Sequence, residues 1–64
     1  MCLSTVYKGV KSPETIVLRN VTQIECKDDC IILTDLMDHS VVVQGKLVSA
    51  NLVDGYVIVE EYQE

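Results

Sequence analysis

The feature that most limits what this chain can fold into is the kind of apolar residue it carries. Eleven Val and five Ile stand beside six Leu, against three Tyr and no Phe or Trp. Branching at Cβ stiffens χ1 and suits a pleated surface better than a helix, so the composition favours strands. The lack of large aromatic anchors argues against a pocket for a flat organic cofactor. The core reads as an aliphatic slab. With 64 residues there is room for one domain, spanning 1–64. A chain of this size buries only about 60% of the surface its unfolded form exposes. A disulfide set, a metal or self-association would have to supplement such a core.

A period of two runs along most of the sequence. The opening stretch Leu3 to Lys8 reads as a strand that ends near Gly9 and the Ser12-Pro13 turn. Thr15 to Arg19 is rich in β-branched residues, and Thr22, Ile24 and Cys26 alternate with Gln23 and Glu25 as in a half-buried strand. After the polar pair Asp28-Asp29, of hairpin length, Cys30 to Thr34 reads as the next strand, and Ser40 to Gln44 as another. Lys46 to Val53 and Tyr56 to Glu61 flank Asp54-Gly55, which points to a type I′ hairpin because both turn positions would take positive φ. The fold class expected is all-β: a small, strongly bent antiparallel sheet, or an SH3-like or Sm-like barrel, of six to seven short strands. Its Val-rich edges would be open to pairing with a second copy.

Charge narrows the function classes. Ten acidic residues face five basic ones, a net charge of −5, and Lys8, Lys11, Arg19, Lys27 and Lys46 are scattered along the chain. A nucleic-acid binder needs clustered cations to displace phosphate counterions, so binding of this kind is not expected. No apolar run has the length of a membrane span and no basic leader precedes a hydrophobic stretch, so the chain reads as cytoplasmic.

Nothing in the sequence looks like catalytic machinery. There is no nucleophile elbow, phosphate loop, zinc-protease helix or carboxylate pair, and Asp28, Asp29, Asp35, Asp38 and Asp54 fall at turns, where Asp bonds to local backbone. An enzyme is not expected. The three cysteines, Cys2, Cys26 and Cys30, are an odd number and do not suggest a disulfide framework. Cys26 and Cys30 flank the Asp28-Asp29 turn and read first as small hydrophobes, with a metal clip or dithiol as the sharper alternative. His39, beside Asp38, reads as a solvent-facing imidazole. Cys2 differs by position. Its thiolate, its amide nitrogen and the nearby α-amine form a compact set of N and S donors, the kind Ni(II) or Cu(II) takes in a square plane.

The start Met1-Cys2-Leu3, the stretch Leu33-Thr34-Asp35-Leu36, the run into Gln44-Gly45-Lys46-Leu47, and the closing Asn51-Leu52 and Val57-Ile58-Val59-Glu60 together resemble a known family. It is the CooT family, small nickel-binding accessory proteins of carbon monoxide dehydrogenase maturation. The resemblance implies an SH3-like barrel, a homodimer, and Ni(II) bound at the dimer interface through Cys2. It also implies a nickel-enzyme client. Cys26 and Cys30 lie outside the family's metal pattern. The other reading of the residues is a metal-free Sm-like or SH3-like module that binds RNA or a protein partner.

Overall fold

The computed structural model describes residues 3–62. Six strands form one sheet: β1 (Ser4–Lys8), β2 (Ile16–Cys26), β3 (Ile31–Asp35), β4 (Ser40–Val43), β5 (Gly45–Asn51) and β6 (Tyr56–Glu61). Their order across the sheet is β4-β3-β2-β1-β6-β5. The all-β expectation and the strand count hold. A single 3-10 turn, Pro13–Thr15, connects β1 to β2 and is capped by Ser12.

Two features depart from the local patterns. The runs on either side of Asn20 are one continuous strand, β2, which bends where Asn20 takes a φ of +57°. Asn tolerates the left-handed region better than most residues, so the chain can turn there without leaving the sheet. The second departure is that β1 pairs with β6 in parallel, while the other ladders are antiparallel. The sheet is therefore mixed.

The bend of the sheet follows from connectivity. β4 and β5 occupy opposite edges, yet only Gln44 separates them in sequence. The sheet must curl until its edges meet at that corner. Tyr62 N–H closes the corner by donating to the Gln44 carbonyl at 2.7 Å. A side chain at Gly45 would run into the Glu60 carbonyl, so the corner requires glycine for close approach of two backbones. No ladder joins β4 to β5 among the described residues, and the curled sheet stays open along that seam.

The concave face holds the core: Val6, Val21, Ile31, Leu33, Val43, Val57 and Val59, all aliphatic and all buried. Each comes from an alternating position, as the pleat requires. β5 adds only Gly45 to the buried set and leaves Leu47 and Val48 exposed; β4, at the other edge, exposes Val42. Both edges carry apolar surface toward solvent.

Candidate functional site

Cys2, the residue singled out for metal binding, lies outside the described residues. The described residues begin at Leu3, just before β1. Thr5 N–H donates to the Gly55 carbonyl at 3.0 Å, which ties the start of β1 to the loop between β5 and β6. That loop is not the two-residue type I′ turn expected from Asp54-Gly55. It has four residues between the paired Asn51 and Tyr56, and only Gly55 takes positive φ, at +78°. The reason is the Asn51 side chain. Its Oδ1 accepts from the N–H groups of Val53 (3.1 Å) and Asp54 (2.9 Å), and Gly55 N–H donates to the Asn51 carbonyl. This Asx geometry offers the chain a wider turn than the Asp-Gly pair alone would set. The loop carries Leu52 and Val53 to the surface, Val53 almost fully exposed.

Beside it, on the concave side, opens a cavity of about 360 Å³, lined by Ser4, Val21, Ile24, Ala50, Leu52 and Val57 among others. Its walls are largely apolar side chains. Ser4 links it to the N-terminal end of β1. Sequence reading does not find this cavity, because it exists only where β1 pairs with β6 in parallel and brings residues 50–57 next to residues 21–24.

The other candidate ligands do not converge. Cys26 pairs with Ile31, so the pleat that puts Cys26 on the face of Ile31 turns the preceding Cys30 to the opposite one. Both are free thiols, Cys26 exposed and Cys30 half-buried. His39 is exposed and sits in the β3–β4 turn, its Nδ1 3.4 Å from Asp35 Oδ2. Among the described residues no group of three His, Cys, Asp or Glu side chains could hold a metal ion.

The turn role expected of Asp35 is seen in full. Its Oδ1 accepts from the N–H groups of Met37 (2.9 Å) and His39 (2.8 Å). The His39 N–H is the main reason the Asp35 carboxyl is held below the ordinary aspartate value; partial desolvation opposes it, and the imidazole and the Met37 N–H assist.

The basic residues are largely engaged. Lys8, Lys27 and Lys46 pair with Glu61, Glu25 and Glu60, and Lys11 lies 4.4 Å from the centre of the Tyr56 ring. Little unpaired positive charge is left for phosphates. No described helix is long and apolar enough to cross a membrane.

Comparison with known proteins agrees with this geometry. The family model described as CO dehydrogenase accessory protein CooT matches residues 1–60, a span that includes Cys2. The crystal structure of a protein assigned to CooT in Carboxydothermus hydrogenoformans superposes with a TM-score of 0.83 at 18% identity, covering 97% of this chain and 100% of that one. At that identity the likeness is one of fold. No curated protein matches the chain. The family match over nearly the whole length is decisive: the chain belongs to the CooT family of CO dehydrogenase accessory proteins.

Proposed function

We propose that this chain is a nickel-binding accessory protein that holds Ni(II) through Cys2 at the interface of a homodimer and serves the maturation of a nickel enzyme such as CO dehydrogenase. The observation that carries the reading is the family match across residues 1–60, which takes in the N-terminal cysteine. Donor chemistry supports it. Each chain offers one thiolate and at least one nitrogen near its N-terminus, and two chains supply the four N and S donors that a square-planar ion favours. Zinc, which prefers a tetrahedron, competes poorly for such a plane.

The scattered positions of Cys26, Cys30 and His39 leave Cys2 as the residue to test first. A small aliphatic core and two edges bearing exposed Val42, Leu47 and Val48 favour a second copy as cover. Binding releases protons from thiol and amine or amide, so affinity falls as pH drops. Nickel titration of the reduced protein, followed by thiolate-to-metal charge-transfer absorption, tests the reading. The bands should saturate near one nickel per two chains and vanish in Cys2→Ser. Bands that persist in Cys2→Ser would move the site elsewhere.

A further inference from the structure

Asp54 is followed by Gly55, and none of the chain's other aspartates or asparagines precedes a glycine. Such a dipeptide is open to attack by the backbone on its own side chain. The amide nitrogen of the second residue reaches Cγ of the aspartate, and a glycine puts no side chain in the way. A C–N bond forms, a C–O bond breaks, and the carboxyl OH leaves with the amide proton as water. Water then reopens the succinimide ring at either carbonyl. One opening restores aspartate; the other gives isoaspartate, in which the main chain runs through the former side chain. The reaction needs no oxidant and no metal.

In this fold both reacting groups are held by one residue. Gly55 N–H, the nucleophile, donates to the Asn51 carbonyl at 2.9 Å. The Asp54 carboxylate, which carries the carbon under attack, accepts from Asn51 Nδ2 at 3.3 Å. Asn51 Oδ1 fixes the turn between them by accepting from the N–H groups of Val53 and Asp54. An amide engaged with a carbonyl four residues back is not free to swing toward Cγ, and a small misplacement of a reacting pair slows such a step steeply. Asp54 itself is exposed, so water for ring opening is at hand.

We propose that Asp54 is a site of isoaspartate formation and that Asn51 restrains the reaction in the folded protein. Its position gives the modification a structural consequence. The Gly55 carbonyl accepts from Thr5 N–H at 3.0 Å, and the next residue, Tyr56, pairs with Thr5 where the parallel ladder begins. Isoaspartate lengthens the main chain by a methylene just before this tie. The isomer therefore draws Gly55 off Thr5 and loosens the start of β1 against β6.

Incubation of the full chain in heavy-oxygen water at neutral pH, folded and in guanidinium chloride, reads the reaction, because each ring opening leaves one labelled oxygen. Digestion in ordinary water releases the peptide after Lys46, which holds Asp54 and no other aspartate, and fragmentation assigns the label to residue 54. The folded parent should take up label about tenfold more slowly than the unfolded chain. Asn51→Ala, shown to be folded by circular dichroism, should label several-fold faster than the folded parent. Asp35→Asn, which loosens the other turn, should label at the parent's rate. In protein aged to isoaspartate the Thr5 amide should exchange with solvent faster than in fresh protein. An unfolded chain that takes up no label at residue 54 overturns the site. A folded parent that labels as fast as the unfolded chain overturns the restraint, as does Asn51→Ala labelling at the parent's rate. An equal rise in Asp35→Asn overturns it too, by assigning the effect to lost stability. Thr5 exchange unchanged in the isomer overturns the structural consequence.

Discussion

The turn after β3 and the loop after β5 solve one problem with different chemistry. In each, a side-chain oxygen at the end of a strand accepts two backbone N–H groups from the residues that follow. Asp35 does so for Met37 and His39, and Asn51 for Val53 and Asp54. Each loop then lifts apolar residues into solvent, Leu36 and Met37 on one side and Leu52 and Val53 on the other. The Asp35 acceptor carries a charge that acid removes, whereas the Asn51 acceptor is neutral at every pH. The anchor of one loop therefore titrates and that of the other does not, although the Asn51 amide also donates to Asp54 Oδ2 at 3.3 Å. The second also borders the cavity beside the N-terminal end of β1.

The largest effect should come from a corner that uses no side-chain anchor. Gly45→Ala places a Cβ against the Glu60 carbonyl, and β5 must move off β6 to admit it. Overpacking against backbone costs about 3 kcal/mol, read as a lower urea midpoint. A variant as stable as the parent would mean that the corner is looser than described. Asn51→Ala comes next. It strips the acceptor from Val53 and Asp54, a loss of about 1 kcal/mol, since water reaches both N–H groups at this exposed loop. Its stability deficit should vary less between pH 3 and pH 7 than that of Asp35→Asn, the 3.3 Å bond from Asn51 Nδ2 to Asp54 Oδ2 being the contact to a carboxylate that it loses. A deficit that varies as much would break the comparison.

Asp35→Asn should show the opposite pattern. The folded carboxyl titrates below its ordinary value of 3.8, so ionised Asp35 stabilises the fold above that pH. This stabilisation is lost as pH falls through the lowered folded value. The parent should therefore be the more stable protein at neutral pH, and the gap to Asp35→Asn should close on acidification below 3.8. Thermal unfolding at stepped pH measures it. A gap that is constant down to the acid limit would show that the Asp35 charge does not anchor the turn.

Some of this was legible in the residues and some was not. Strand positions were, because Val and Ile at every second position leave little else to form, and Tyr56–Glu61 is found where the pattern places it. The turn role of Asp35 was legible too, since Asp before a polar stretch bonds to local backbone. The Asp54-Gly55 signal misled because Asn51, three residues upstream, competes for the same N–H groups and widens the loop. The parallel pairing of β1 with β6 joins residues some fifty positions apart and leaves no local trace, so the cavity it creates was invisible. The Cys26 and Cys30 pattern needed the hairpin register before their faces could be assigned. Cys2 drew notice only for its place at the chain's beginning and for the family resemblance.

The central claim is that two copies share one nickel through Cys2, and native mass spectrometry of the reduced, nickel-treated protein tests it most directly. The parent should fly as a dimer carrying one nickel, and Cys2→Ser should lose the metal while its circular dichroism remains that of a β protein. A monomer that holds nickel by itself, or a Cys2→Ser dimer that still carries one, would contradict the account.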